Sequence, residues 1–386
     1  MKKILFTVLI TTLLTAAAFA QNLTFGGYFN SGLGLITQGD NDAEIKAFGV
    51  DSESNGYRFR LNANYQNNDR TSGFRLRLQS QRTLADTGGY LSIPFAYGWM
   101  NFFDNMISVS GGIVDDSAWQ TADWWINDDV GEGLGLLLKI APIEGLNLGA
   151  GAYVNSQRGG GNNNVLALPV GSNGIKLGEV KYVISGSYLM KDVFYIGASA
   201  RTENRTGNQQ SGAIIGDLRL LMIKDLTAVF AFQLDNLQDF DNTGTMTFSE
   251  TFAFKLTDDI NVGLNAAQFF FNVDNRDPAF LFNLWGSYTM GSLVPRIDLV
   301  YFINGESNGA NSANSSTQFH RKGYAARQDR SVFSVRPSLR FNLDSRTHIE
   351  IGDVLYLDSA KNEVTNWGNE KSLFTNVFYI DVRWSF

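Results

Sequence analysis

Apolar and polar residues alternate along most of this chain. The last nine residues, 378–386, show this alternation most clearly, because every second one is apolar: Phe378, Ile380, Val382, Trp384 and Phe386. A similar period of two recurs in residues 57–65, 74–81, 146–154, 180–190, 226–234, 262–270, 280–290 and 333–341. A period of two places the apolar and the polar residues on opposite faces of a β-strand. The pattern therefore predicts an all-β protein built from amphipathic strands.

Short turns and long polar segments separate these strands in alternation. Short turns are predicted near Asp69, Asp104, Glu144, Asp192, Asp225, Asp258, Gly291 and Asp344, and longer polar segments include residues 38–55, 115–132, 156–176 and 305–330. Strands this numerous, without covering helices, must close on themselves or expose an edge. Eight short turns, with both termini on the same side, predict one closed antiparallel barrel of 18 strands, with 16 strands as the alternative.

Two residues depart from the strand pattern. Glu250 falls on the apolar face of its strand, where a charge facing lipid is costly, so it is expected either near the membrane surface or at a β-bulge. Pro337 lies inside a strand pattern although a closed barrel has no edge to hold it, and this predicts a bulge there.

The N-terminus and the composition indicate export. Residues 1–20 have two lysines, an apolar stretch and a small-residue end, which predicts a signal peptide followed by a barrel in residues 21–386. No later segment is a long apolar run, and the chain has no Cys, which excludes disulfides and thiolate metal sites. The formal net charge of −7 argues against nucleic acid as a partner.

Two segments carry a family resemblance. Residues 378–386 resemble the closing strand of bacterial outer-membrane β-barrels, in which a terminal Phe is a membrane-insertion signal read by the barrel assembly machinery. Residues 96–112 resemble the fourth and fifth strands of general diffusion porins, although Gly111-Gly112 lacks the Arg of that motif. The resemblance implies a barrel in the outer membrane of a Gram-negative bacterium, in contact with its lipid. It further implies a homotrimer, no cofactor, and a third long loop (residues 115–132) folded into the barrel as a constriction.

Seven arginines are predicted to line one arc of the inner wall. If the apolar faces point to lipid, the basic side chains that point inward come from early and late strands, which closure makes neighbours: Arg58, Arg60, Arg75, Arg77, Arg336, Arg340 and Arg383. Because Arg keeps its charge, such an arc would hold a fixed positive field. The alternative is that a nearby acid neutralises each arginine separately.

The predicted constriction loop has the opposite charge. It carries six acids and no base: Asp115, Asp116, Asp123, Asp128, Asp129 and Glu132. Acids facing arginines across a narrow opening would create a transverse field that favours small polar solutes. Trp119, Trp124 and Trp125 in the same loop could stack on sugar rings, or could only anchor the loop to the wall.

These features favour a passive porin for small hydrophilic solutes and ions. A more selective channel, or an adhesin or structural barrel acting through its surface loops, remains an alternative. An enzyme is disfavoured, because the two histidines are poorly placed: His348 is predicted at the short-turn end of the barrel and His320 in a long loop. Neither histidine has an identifiable catalytic partner in the sequence.

Overall fold

The protein is a single antiparallel sheet that closes on itself. The computed structural model describes residues 22–38, 43–48, 57–80, 91–114, 133–154, 180–204, 210–272, 277–307, 324–358 and 374–386. Its strand segments are β1 (Leu23–Gln38), β2 (Glu44–Phe48), β3 (Tyr57–Gln66), β4 (Ser72–Ser80), β5 (Leu91–Ser92), β6 (Ala96–Phe102), β7 (Ile107–Val114), β8 (Gly133–Ile143), β9 (Leu146–Val154), β10 (Lys181–Met190), β11 (Phe194–Asn204), β12 (Gln210–Leu220), β13 (Leu226–Asp235), β14 (Thr245–Lys255), β15 (Ile260–Phe271), β16 (Ala279–Tyr288), β17 (Leu293–Ser307), β18 (Tyr324–Asn342), β19 (Thr347–Asp358) and β20 (Phe374–Ser385).

These twenty segments form 18 barrel strands. Segments β2 and β3 both pair with β1, one after the other, so together they make a single interrupted strand. Segments β5 and β6 pair with β4 in the same way. The barrel closes where β1 pairs with β20, from Tyr28 opposite Ser385 to Gln38 opposite Thr375. The prediction of 18 strands is confirmed, and the alternative of 16 is excluded.

Helical structure is minor in the described residues. A 3-10 turn at Leu237–Asp239 and a single-turn α-helix at Phe240–Thr243 lie between β13 and β14. Within the described ranges, no helix is long and apolar enough to cross a membrane.

All eight predicted short turns lie at one end of the barrel, together with Leu23 and Phe386. Several of them contain a residue at positive φ: Asp104 (54°), Asp192 (58°), Asp225 (64°) and Gly291 (62°). Asp, Asn and Gly tolerate this left-handed conformation better than other residues do, so the sequence chemistry explains where the chain reverses.

The turn between β18 and β19 has a further stabilising contact. Asp344 Oδ1 accepts hydrogen bonds from the backbone amides of Arg346 (2.6 Å) and Thr347 (2.7 Å). These amides hold the pKa of the Asp344 carboxyl below its usual value. Because the folded pKa is depressed, the stabilisation is present above the unfolded pKa and is lost as the pH falls through the folded one. The contact therefore supports the turn at neutral pH.

The alternation assigns each strand residue to an outer or an inner face. Outward positions carry exposed apolar side chains, such as Leu136 and Ile184, each 64% exposed. Inward positions carry most of the polar and charged residues, and several of these, including Asn30 and Gln233, are fully buried. The apolar outer surface suits a lipid environment, and the polar inner wall is where a function would lie.

The two residues that departed from the pattern differ in outcome. Glu250 does face outward, as its position predicted, but it lies in an unbroken ladder between Phe230 and Ala266 rather than at a bulge. The bulge expected at Pro337 is wrong, because the register of β18 with β19 is the same on both sides of it. The ladder is only interrupted there, since proline has no N–H to donate. Register shifts occur instead at Ile140/Ile143 and at Ile303/Gly305.

The chain end completes the closing strand. The backbone groups of Phe386 and Gly27 exchange two hydrogen bonds, of 2.9 Å and 3.0 Å, and the Phe29 and Trp384 rings lie 5.8 Å apart across the same seam. We expect deletion of Phe386 to lower the amount of heat-modifiable barrel in outer membranes several-fold, because closure loses both bonds and the terminal ring. Gel mobility of heated and unheated membrane extracts would measure this.

The matched control for that deletion is Phe254→Ala. Phe254 is an outward phenylalanine near the turn end of β14, but it lies away from the seam. If the deletion and Phe254→Ala lower barrel levels equally, or if neither does, the terminal residue has no special role in assembly.

Candidate functional site

The inner wall is divided into two electrostatic sectors. Segments β3 to β10 contain no acid and carry the bases Arg58, Arg60, Arg75, Arg77, Lys139 and Lys181. Segment β2, which belongs to the same barrel strand as β3 but lies towards its long-loop end, contains Glu44 and Lys46. Strands β11 to β20 carry acids and bases together. We call segments β3 to β10 the cationic sector and strands β11 to β20 the mixed sector. The electrostatic potential in the lumen is therefore expected to be more positive beside the cationic sector than beside the mixed sector.

Two arginines of the cationic sector, Arg60 and Arg77, are contacted by neutral side chains. Arg60 Nε donates to Gln79 Oε1 (2.9 Å), and Arg77 Nε donates to Asn62 Oδ1 (2.8 Å). The Arg77 guanidinium also lies 4.5 Å from the centre of the Phe95 ring. These contacts fix the orientation of the guanidinium groups without removing their charge.

Arg75 is the most accessible of the bases in this sector whose side chains the structure describes. It is opposite Tyr97 in the ladder, and its side chain is exposed to the lumen. Lys139 on β8 lies within electrostatic range of Arg75. Arg58 occupies an inward register position opposite Asn30, but its side chain lies outside the described residues. The structure thus places Arg60 on β3 and Arg75 and Arg77 on the adjacent β4, all at inward positions, with Lys139 at an inward position of β8.

Arg340, one of the late arginines of the predicted arc, is paired with an acid. Arg340 donates from Nε (3.1 Å) and Nη2 (2.9 Å) to Glu350 Oε2, and Tyr379 Oη donates to Glu350 Oε1 (2.9 Å). Glu350 is only 2% exposed whereas the Arg340 side chain is 43% exposed, so a buried carboxylate pairs here with an accessible guanidinium. For Arg340, the geometry therefore matches the alternative of neutralisation by an acid.

Arg336 and Arg383 have neutral partners in the described geometry. Arg336 is 3% exposed, and its Nε donates to Ser334 Oγ (3.3 Å). Arg383 lies 4.2 Å from the centre of the Tyr28 ring, and Arg60 lies 5.3 Å from the same ring. Tyr28 on β1 therefore connects the early and the late arginines across the seam, which makes the arc spatially continuous.

Two further ion pairs lie in the mixed sector. Arg296 donates from Nε (2.7 Å) and Nη2 (2.8 Å) to the Asp298 carboxylate, which also accepts from Asn283 Nδ2 (3.2 Å). Arg219 pairs with Asp217 in the same way. In both pairs the partners are two residues apart on one strand, so both point inward. The mixed sector thus neutralises much of its own charge.

Apolar side chains also occupy inward positions, towards the long-loop end. One buried cluster spans β7 to β12, together with the preceding Phe95 and Tyr97, and includes Val114, Leu137, Tyr153, Val183 and Ile215. A second cluster on β15 to β17 contains Ala267, Ala279, Leu281, Val300 and Phe302. Leu137 is 1% exposed and Phe302 0%, so water does not line these parts of the wall.

The sequence analysis missed Lys139, Glu350, Asp298 and both apolar clusters. The alternation of inward and outward positions could have identified the charged residues. Lys139, for example, lies between the outward Leu138 and Ile140. The apolar clusters have a signal of their own. In β15 to β17, apolar residues occur at consecutive positions rather than at alternate ones.

The predicted constriction loop lies outside the described residues. This applies to residues 115–132, including all six acids and the three tryptophans. In the described part of the chain, no cluster of three or more His, Asp or Glu side chains could hold a metal ion.

Comparison with known proteins supports the fold. No family model matches the sequence, and no curated protein is similar to it. Among solved structures, OpdK of Pseudomonas aeruginosa aligns over 95% of this chain and 99% of its own, with a TM-score of 0.57 and 10% identity. OccK3 (OpdO) of the same organism gives a TM-score of 0.56 at 11% identity, covering 95% and 96% of the two chains. The chain has the fold of Gram-negative outer-membrane porins. OccAB4 of Acinetobacter baumannii is similar too, with a TM-score of 0.54 at 11% identity over 95% of this chain and 99% of its own. The resemblance predicted from the sequence is thus confirmed at the level of the fold.

We expect Tyr379→Phe to destabilise the barrel by about 2 kcal/mol, because it removes a hydrogen bond to a nearly buried carboxylate. Urea-induced unfolding in lipid vesicles would measure the change. Tyr301→Phe is the control, since Tyr301 faces outward and is 43% exposed. Equal effects of the two substitutions would show that the contact between Tyr379 and Glu350 contributes nothing to stability.

Proposed function

We propose that this protein is an outer-membrane channel through which small hydrophilic solutes and ions diffuse passively. The observation that carries the proposal is the closed 18-strand barrel with an acid-free cationic sector along one side of its inner wall. A purely structural barrel needs no such segregation of charge, whereas a conduction path benefits from a fixed field. The similar fold of outer-membrane porins supports the same function.

The constriction would form between the cationic sector and residues 115–132. This segment follows β7 and precedes β8, so its six acids would enter the lumen from strands that carry none. Arg60, Arg75 and Arg77 are the nearest large group of bases on neighbouring strands. At physiological ionic strength the screening length is about 8 Å, so charges interact across a narrow opening but not across the whole lumen. The segment would therefore fold inward and face these arginines.

Export and assembly complete this proposal. Residues 1–20 would direct secretion and be removed, and the barrel assembly machinery would insert residues 21–386 into the outer membrane. The terminal Phe386 supports this, because it completes the closing strand at the end that carries the short turns. The sequence resemblance to general diffusion porins suggests a homotrimer.

The two apolar clusters favour a second candidate, a more selective channel. A solute with an anionic group and an apolar body would match a wall that offers arginines together with the partly buried aromatic rings that pack on these clusters, Trp99, Phe269 and Phe271. The similar structure of OpdK was determined with vanillate. In general diffusion, by contrast, a solute's size would matter more than its apolar surface.

Ion selectivity tests the proposed constriction. Replacing Arg75 and Arg77 by Ala should shift permeation towards cations, on the order of twofold, because two fixed positive charges are lost close to the conduction path. Replacing Asp128 and Asp129 by Asn should shift it towards anions by a similar factor. The reversal potential of single channels in a salt gradient measures both changes.

The matched control removes two positive charges from the short turns instead. Arg70 and Lys224 both lie there, outside the barrel wall, and the double variant Arg70→Ala/Lys224→Ala should leave the reversal potential nearly unchanged. If neither test variant moves the reversal potential, the proposed constriction is wrong. If the bilayer shows no conductance at all, the channel function itself is wrong.

Solute flux separates the two candidates. A selective channel should pass benzoate several-fold faster than a neutral sugar of similar size, and Phe269→Ser should reduce that preference because it removes a partly buried apolar ring from the inner wall. Flux into vesicles that contain the purified protein would be the measurement. A rate that depends on size alone would support general diffusion and reject the selective channel.

A further inference from the structure

One aromatic ring contacts two arginines at the seam of the barrel. Tyr28 on β1 is opposite Arg60 of β3 on one side and opposite Ser385 of β20 on the other. The Cζ atom of Arg60 lies 5.3 Å from the centre of the Tyr28 ring, and that of Arg383 on β20 lies 4.2 Å from it. Tyr28 is only 8% exposed, so its ring is nearly covered. A single side chain of the first strand thus contacts guanidinium groups from the strands on both sides of it.

The other arginine–ring contacts of the described wall are simpler. Each of three further inward rings contacts one guanidinium: Phe95, Tyr195 and Trp285. The arginines at the last two rings, Arg219 and Arg296, are also paired with acids two residues away on their own strands. Among the described contacts, Tyr28 is therefore the ring that holds two guanidinium groups at once.

Strand β1 contributes no formal charge of its own. Residues 23–38 include no acid and no base, and the inward positions on either side of Tyr28 are Gly26 and Asn30. The face of an aromatic ring carries partial negative charge, which attracts a guanidinium group but leaves its net positive charge in place. The Tyr28 ring can therefore hold two arginines near each other at the seam without neutralising either of them.

Loss of the ring would affect the two arginines differently. Asp381 lies two residues before Arg383 on the same inward face of β20 and is 1% exposed. Arg has a long, flexible side chain, and a carboxylate attracts a guanidinium more strongly than a ring does. Without the ring, Arg383 would rotate towards Asp381. Arg60 would stay in place, because its Nε donates to Gln79 Oε1 at 2.9 Å.

We infer that Tyr28 is a positioning residue, which directs the charges of Arg60 and Arg383 into the lumen at the seam and so favours the passage of anions there. The role in permeation rests on the proposed function, whereas the effect on the local potential does not. Tyr28 reaches Arg383 only because β1 pairs with β20. Closure of the sheet and the electrostatic potential beside the seam therefore depend on the same pair of strands.

A cysteine reporter measures this potential directly, because the chain has no Cys of its own. Ser385→Cys places a thiol opposite Tyr28, at a half-buried inward position. In full-length protein inserted in vesicles, an anionic methanethiosulfonate should react with this thiol faster than a cationic one of similar size. Tyr28→Leu should lower the ratio of the two rates about threefold, because the charge of Arg383 moves towards Asp381. Tyr28→Phe keeps the ring and should leave the ratio unchanged.

Two further variants separate the charge of the ring from its packing. Phe29→Leu is the matched control, since it removes an outward ring that lies 5.8 Å from Trp384 across the same seam, and it should not change the ratio. Replacement of Tyr28 by pentafluorophenylalanine keeps the shape of the ring but removes its negative face, so it should lower the ratio as Tyr28→Leu does. This variant also decides the matter if Tyr28→Leu fails to form a heat-modifiable barrel.

The inference is overturned if the fluorinated ring leaves the ratio unchanged, if Tyr28→Phe lowers it as much as Tyr28→Leu, or if Phe29→Leu lowers it equally. In single channels, Tyr28→Leu should also move the reversal potential towards cation preference. A conducting channel whose reversal potential does not move would overturn the role in permeation. Thiol labelling needs no current, so a protein that shows the expected labelling ratios but no conductance would reject only the channel function.

Discussion

The structure depends on the closure of its backbone hydrogen-bond ladder. In hydrocarbon no water can satisfy a free N–H or C=O group, so an open sheet edge would leave a whole row of them unpaired. Pairing of β1 with β20 removes both edges, and the bonds between Gly27 and Phe386 extend that pairing to the last residue of the chain. Once the sheet is closed, every strand residue has either an outer or an inner environment. All later chemistry follows from that division.

The alternation of apolar and polar residues, together with the residue types at the turns, predicts much of this fold from the sequence. Alternation gives the direction of each side chain, and residues such as Asp192, Asp225 and Gly291 mark the chain reversals because they tolerate positive φ. The bulges considered at Pro337 and Glu250 are absent, because the backbone ladder keeps its register at both residues. Pro337 was expected to force a bulge, but the strands keep their register and only lose local pairing. Glu250 was expected near the membrane surface or at a bulge, but it lies in a continuous ladder where its neighbour Gln268 provides a hydrogen bond.

The site was less predictable than the fold, because the alternation along a strand shows whether a side chain points inward or outward but not which side chains it contacts. The alternation placed Arg340 on the inner wall, but it could not show that Glu350 would meet it at 2.9 Å or that Tyr379 would complete the network. Likewise, an inward Leu137 was visible as a position, but its near-complete burial depends on packing across several strands. The segregation of acids away from β3 to β10 is different, since it becomes evident once the strand boundaries are known.

Two glutamates show how environment sets the role of one side chain. Glu350 faces inward, where an arginine and a tyrosine hydroxyl satisfy both of its oxygens. These hydrogen bonds link the neighbouring strands β18, β19 and β20 on the inside of the barrel. Glu250 faces outward, where a single amide bonds one oxygen and phenylalanines surround it. The first needs nothing from outside the chain. The outer surface is therefore not uniformly apolar, and the barrel accommodates one carboxylate there because an amide on the adjacent strand supplies its hydrogen bond.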